Sequence, residues 1–243
     1  MRAVAGVGTT LAGGRTVLST LRSAPPLTLR QTGDTAVRLV STAAGPLGGD
    51  RLELRIDVAP GTTLDFGSVA ATLVLPGDGT SELLIIATVG QGACLRFAPE
   101  PAILAAGCAH RQAVHLDLRG DARVLWREEL VLGRYGERPG RCRTRFDALH
   151  DGRPLLRQEL AIGTDVDSSP AVYGTARCLG TTLVTGPRAE APVVGEGVAV
   201  LPLAGPGTLV SALADDAVEL RRRLLWGEAA VTFQPLVAGR LPS

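Results

Sequence analysis

The stretch GPLGGDRLELRIDV, Gly45 to Val58, sets an aspartate behind two glycines and then alternates apolar and charged residues without a break. Leu52, Leu54, Ile56 and Val58 fall on one side of an extended chain, and Arg51, Glu53, Arg55 and Asp57 on the other. This is the pattern of a strand with one buried face. Gly48 and Gly49 permit positive φ and a close backbone approach, so the segment reads as a tight turn feeding a strand. Nothing in that turn requires an acid, which leaves two readings for Asp50: it caps the turn, or it is a functional carboxylate placed on it.

The same period recurs on both sides. VHLDLR (Val114 to Arg119) alternates, and SELLIIATV (Ser81 to Val89) is a more continuously apolar run of the kind buried on both faces. Further strands are predicted at Thr16 to Thr20, Leu27 to Gln31, Ala36 to Ser41, Arg123 to Val131, Arg143 to Phe146 and Val198 to Leu203. Turns such as PGDG (Pro76 to Gly79), RGD (Arg119 to Asp121) and HDGRP (His150 to Pro154) divide them. The expectation is an all-β protein, with one helix over Ala212 to Leu225 capped by Ser211 and a second, weaker one after Pro170. GVGTTLAGG near the N-terminus has no lysine after it and reads as a mobile leader over 1–12, with 13–243 as a single domain.

Composition narrows the function. A length of 243 residues with 45% hydrophobic residues can bury a substantial core, and 30 Gly with 16 Pro favour short strands over long helices. All 25 basic residues are Arg, so neither a phosphate-loop lysine nor a Schiff-base lysine exists. A net charge of +1 and 3% aromatics argue against nucleic acid as a partner. No apolar run approaches the ~20 residues of a membrane span, and the chain reads as cytoplasmic. Cys94, Cys108, Cys142 and Cys178 lie far apart with no CxxC pair, as reduced core thiols do.

No catalytic signature emerges from the residues. There is no GxSxG, and His110 and His115, five apart in a strand, point to opposite faces. Glu128 and Glu129 are adjacent strand residues and make a poor acid–base pair; Asp165 and Asp167 are the other acids open to nomination for glycoside hydrolysis.

A series of landmarks carries more information than any one of them: PPLTLRQTG from Pro25, STAAGPLGGDRLELRIDVAPGTTLDF from Ser41, GACLRFAPEPAIL from Gly92 and LDLRGDARVLWREELVLGRYGE from Leu116. Their order and spacing resemble the urease accessory protein UreD family, called UreH in some organisms, most closely over residues 13 to 160. The resemblance implies a β-helix-like stack of short strands with about two helices. It also implies a non-enzymatic scaffold that binds UreF, recruits the GTPase UreG and docks on apo-urease, so that nickel reaches the urease site. No tightly bound cofactor is implied, only transient Ni2+. Asp50 then becomes a candidate for transient nickel passage, and Glu128, Arg134 and Glu137 become candidates for an interior salt-bridge network or tunnel lining. From other classes, a β-solenoid polysaccharide hydrolase or a structural interaction domain with other partners stands as the alternative.

Overall fold

The computed structural model describes residues 1–163, 169, 172–186 and 188–231. Two hairpins open the chain, β1 (Arg2–Ala12) with β2 (Arg15–Arg22) and β3 (Leu27–Gln31) with β4 (Ala36–Ser41). Coils follow: β5 (Arg51–Val58), β6 (Thr63–Ser68) and β7 (Thr72–Val74); then β8 (Ser81–Val89), β9 (Cys94–Phe97) and β10 (Ala102–Leu104); then β11 (Ala109–Leu118) and β12 (Arg123–Val131). The hairpin β13 (Arg141–His150) with β14 (Arg153–Ile162) closes one sheet. β15 (Cys178–Thr185), β16 (Val193–Gly195), β17 (Val198–Pro202) and β18 (Gly207–Ala214) extend the other, and α1 (Ala217–Ala230) packs on it.

Successive coils pair in parallel. Arg51 lies beside Glu82, Glu82 beside Arg111 and Arg111 beside Arg143, steps of 31, 29 and 32 residues. Thr63, Cys94 and Arg123 line up the same way in the facing sheet. The result is a β-solenoid-like stack, all-β as its sequence pattern predicts. At one corner the backbone passes hydrogen bonds from coil to coil: Gly90 N–H to the Val58 carbonyl, Arg119 N–H to Val89, Asp151 N–H to Leu118. At another the GGD turn meets the PGDG turn of the next coil. A Cβ on Gly48 would sit 2.6 Å from the Gly77 carbonyl carbon, so only glycine lets the two turns stack.

In the interior, Phe66, Phe97 and Trp126 occupy equivalent positions on β6, β9 and β12. Their rings stack, with centroids 5.2 Å apart for Phe66 and Phe97 and 3.9 Å for Phe97 and Trp126, and Phe146 meets Trp126 edge-on at 5.7 Å. In so aromatic-poor a chain, two of the four phenylalanines stand in this one column and a third packs against it.

Four expectations change. The leader is instead strand β1, paired with β5 and β2, with Ala3, Ala5 and Val7 buried; its alternation is masked in the sequence by glycines and threonines. The C-terminal helix starts at Ala217 rather than Ala212, with Asp216 as its cap, accepting from Glu219 N–H at 2.8 Å. Ser211 lies mid-strand opposite Thr181, because Val210, Ala212 and Ala214 also satisfy period two and the sheet offers them partners. The weaker helix after Pro170 is not formed over the described part of its span: residues 172–175 make a turn and β15 begins at Cys178, while Pro170 itself lies outside the described residues. Finally, β8 buries Ile85, Ala87 and Val89 on one face only, since no layer covers Leu84 and Ile86 fully.

Phe97 is flanked by the rings of Phe66 and Trp126, so its truncation leaves a gap in the middle of the column. Phe97→Ala is expected to cost about 3–5 kcal/mol in urea unfolding, against about 0.5 kcal/mol or less for the fully exposed Tyr135→Ala. Equal losses in the two variants would mean that the column does not hold the coils together.

Candidate functional site

Asp50 is 4% exposed at the end of the GGD turn. Its Oδ2 accepts the Leu47 N–H at 2.9 Å and its Oδ1 accepts the Met1 ammonium at 2.6 Å. Its own N–H bonds to the Leu47 carbonyl, and its carbonyl accepts Glu82 N–H from the next coil. Burial works to raise its carboxyl pKa, but the ammonium contact and the Leu47 N–H outweigh it and hold the group below the ordinary aspartate value. One oxygen thus closes the turn and the other ties it to Met1, just ahead of β1.

Glu128 is placed differently. It projects from β12 into the space between the sheets, where Gln112 of β11 donates to its Oε1 at 2.5 Å. Two cavities flank this crossbar. One, of about 140 Å³, lies toward Thr144, Gln158, Thr181 and Ser211; the other, of about 80 Å³, lies toward His110, Leu83, Phe97 and Pro99. Gln112, Glu128 and Leu130 line both, so the crossbar stands at their junction. Burial pushes the Glu128 carboxyl up to about 7; the Gln112 hydrogen bond and the nearby Trp126 indole N–H offset part of the shift, although that N–H has no partner in bonding geometry. Asp50 lines neither cavity.

His110 and Gln112 are successive inward residues of β11, whereas His115 is exposed on the outer face, as the five-residue spacing predicts. Ser81 Oγ contacts His110 Nδ1 at 2.8 Å, and burial drives the imidazole down to about 4, so it is neutral at pH 7. The four cysteines are buried and form no disulfide, with burial raising Cys142 to about 12 and Cys178 to about 11. Burial raises Cys108 as well, so these three stand in the interior as protonated thiols.

Arg134 and Glu137 do pair, but not in the interior and not with Glu128. Arg134 Nε donates to Glu137 Oε1 at 2.8 Å in the exposed turn after β12, and the other carboxylate oxygen accepts the N–H groups of Arg134 and Ala106, each at 3.2 Å. The Arg134 hydrogen bond, then that of Ala106, hold Glu137 down to about 2. The pair clips its loop to the preceding coil. A charged interior group does exist on the opposite face of β12, one that sequence reading missed. Arg127 makes a two-pronged contact with Glu228 of α1, at 2.7 and 2.5 Å; Thr182 donates to Glu228 at 2.7 Å; and Glu129 accepts Arg221 Nε at 2.5 Å. Its partners are 101 and 92 residues apart in sequence for the two ion pairs, so no local signal could have revealed them.

Glu128 and Glu129 point to opposite sides of β12, one toward the cavities and the other toward α1, as adjacent strand residues must. Asp165 and Asp167 lie outside the described residues. Among the described residues no group of three or more His, Cys, Asp or Glu is arranged to hold a metal ion, and no helix is long and apolar enough to cross a membrane.

Comparison with known proteins extends beyond the landmarks read from the sequence. The family model described as UreD urease accessory protein matches residues 1–240. This chain belongs to the UreD family. It is 43% identical to the urease accessory protein UreD of Parafrankia sp. (strain EAN1pec), covering 92% of this chain and 86% of that one. The UreD of Streptomyces avermitilis is 41% identical over 92% of this chain and 95% of its own, and that of Frankia casuarinae 40% identical over 90% and 86%. The match therefore includes β1 and the C-terminal third, where the landmarks alone were weak. Membership supports a role in urease maturation.

Two substitutions separate the carboxylates of this UreD-family chain. Glu128 titrates near 7 when folded and near 4.5 when unfolded, so between those values the folded state holds the extra proton and loses stability as pH rises. Glu128→Gln removes that slope. Its stability relative to the parent is expected to increase from pH 5 to pH 8 by on the order of 2 kcal/mol in urea titrations, with the His110 contribution cancelling in the difference. Parallel profiles would contradict the buried, proton-retaining environment. Asp50→Asn retains an acceptor for Leu47 N–H but loses the ion pair, at an expected cost of about 1–2 kcal/mol at pH 7, and Asp50→Ala costs more. Because the Asp50 pKa is depressed, that difference shrinks as pH falls below the unfolded value of 3.8.

Proposed function

We propose that the chain is a non-catalytic scaffold of urease maturation that joins UreF and UreG on apo-urease and supports nickel delivery to the urease site. The observation that carries this reading is the UreD family match along residues 1–240. The absence of lysine agrees with it, since GTP chemistry is then left to UreG and its phosphate loop. Nickel is cargo here, not a resident cofactor. In this proposal the ion follows the interior past Glu128, whose carboxylate adjoins open space, while Asp50, with both oxygens bonded, sets the turn and anchors β1.

The face proposed for UreF is the outer side of α1 with the neighbouring edge of β16. Val218 is 82% exposed, Val194 77%, and Leu225 and Trp226 are also exposed, an apolar group rimmed by Arg222 and Glu219. Such surface is characteristic of a protein interface. A cut before Ser211 would remove half of β18 and is not a clean test; surface substitutions on α1 are.

The experiment is co-expression of the chain with UreF, UreG and apo-urease, reading complex formation and nickel per urease active site. The full set is expected to load nickel and omission of this chain to abolish loading. The paired variant Val218→Asp with Trp226→Ser should weaken UreF binding by at least tenfold, about 1.4 kcal/mol or more, with the melting temperature of the chain unchanged. Normal loading without the chain would overturn the function; unchanged UreF binding would overturn only the placement.

A further inference from the structure

The loop between β12 and β13 is fastened on every side around a tyrosine that the fold does not use. Gly133 and Gly136, at φ of 84° and 74°, turn the chain back so tightly that a Cβ on Gly133 would stand 2.9 Å from the Arg138 carbonyl oxygen. The Arg134–Glu137 pair closes the turn, and the Glu137 carboxylate ties it to Ala106 N–H of the coil beneath. Tyr135, at the centre of this turn, is fully exposed. Of the described aromatic side chains only Tyr135 and Trp226 are exposed, and Trp226 belongs to the α1 face. The chain leaving the loop carries exposed Arg138, Arg141 and Arg143, and the parallel register of β11 with β13 sets exposed Arg111 beside Arg143. Glu159 lies 3.4 Å from Arg143, while Glu82, the in-register neighbour of Arg111, meets Arg51 at 3.6 Å. The guanidinium groups of Arg111, Arg138 and Arg141 have no partner among the described residues. In a chain of net charge +1 this positive surplus is local.

We propose that Tyr135 with Arg111, Arg138 and Arg141 is a docking site for an acidic, extended segment of a partner protein. Guanidinium groups take carboxylates through paired N–H donors, and arginine with tyrosine is the composition enriched in the anchors of protein interfaces. Arg141 and Arg143 are alternate residues of one strand, roughly 7 Å apart, and an extended segment with carboxylates at alternate positions has the same repeat. The Glu159 contact of Arg143 is solvent-exposed and exchanges readily for an incoming carboxylate. Tyr135 supplies a flat apolar surface at low conformational cost, on a turn already set in place, for an apolar residue beside those carboxylates. A single-stranded nucleic acid would need successive stacking platforms, and one tyrosine is not a series of them. β11 and β13 belong to the seven-stranded sheet, whereas α1 packs on the eleven-stranded one, so this site and the α1 face are open at the same time. The site stands on these residues and does not depend on nickel delivery.

The test uses the full-length chain and a fluorescein-labelled peptide of alternating Glu and Ala with one Leu at its centre, read by fluorescence anisotropy across a range of salt concentrations. A single-stranded oligonucleotide of similar length and charge is the competing probe. The variants are Tyr135→Ala, the triple Arg111→Gln, Arg138→Gln, Arg141→Gln, and a control triple Arg15→Gln, Arg22→Gln, Arg30→Gln. The control arginines are also exposed and without a guanidinium partner among the described residues, so both triples change the net charge equally. All are checked for folding by circular dichroism and thermal melting. Saturable peptide binding is expected in the parent and in the control triple, and binding at least about tenfold weaker, with a flatter salt dependence, in the Arg111, Arg138 and Arg141 triple. Tyr135→Ala is expected to weaken binding about threefold or more while keeping the parent's salt dependence, because it removes apolar contact and no charge. Equal weakening in the two triples, no saturable binding by the parent, tighter binding of the oligonucleotide, or a Tyr135→Ala variant that binds as the parent does overturns the proposal. The function in urease maturation is read separately, by nickel loading, and none of these outcomes bears on it.

Discussion

The in-register stacking of parallel coils is the constraint on which the rest of this molecule depends. Each coil shifts the chain by about thirty residues and returns it beside its predecessor, so equivalent positions on β6, β9 and β12 lie in one column. Phe66, Phe97 and Trp126 fill that column with stacked rings, and the glycine turn at Gly48 lets adjacent corners approach closely enough to keep the register. A one-residue slip of β5 would turn Leu52, Leu54 and Ile56 outward and bring charged residues in. Register and hydrophobic alternation therefore enforce each other.

Within that frame, three carboxylates acquire different chemistry from where the coils put them. Asp50 is wholly engaged at a corner, holding β1 to the turn, and stays ionised. Glu137 clips an exposed loop and is ionised as well. Glu128, facing the interior cavities with one amide partner, is pushed up to about 7 by burial. Burial without a cation nearby separates Glu128 from the other two.

The outer face of β12 follows the opposite rule. There Arg127, Glu129, Glu228 and Arg221 bury charge beneath α1, each with a partner, and fix where the only helix among the described residues sits. Buried ion pairs add little net stability relative to apolar packing, but leaving one member unpaired is costly, so they favour one docking of the helix over its alternatives. The apolar outer side of α1 is thereby presented in a set orientation, which is what a protein-binding face needs.

Much of the solenoid was legible in the chain itself. β3, β4, β5, β8 and β12 have the boundaries read from the sequence, because alternation and short apolar runs bounded by turns need only neighbouring residues to be seen. The family landmarks, likewise, are local strings. What escaped depends on distant partners. β1 reads as a leader until β5 and β2 supply its hydrogen bonds, and GTLVSALA satisfies helix and strand patterns equally until β15 and β17 pair with it. The location of Glu128 beside Gln112 and His110, and the engagement of Asp50 by Met1, were decided by the tertiary structure alone. Sequence specifies which side of a strand a residue occupies, but only the stacking of coils determines what stands opposite it.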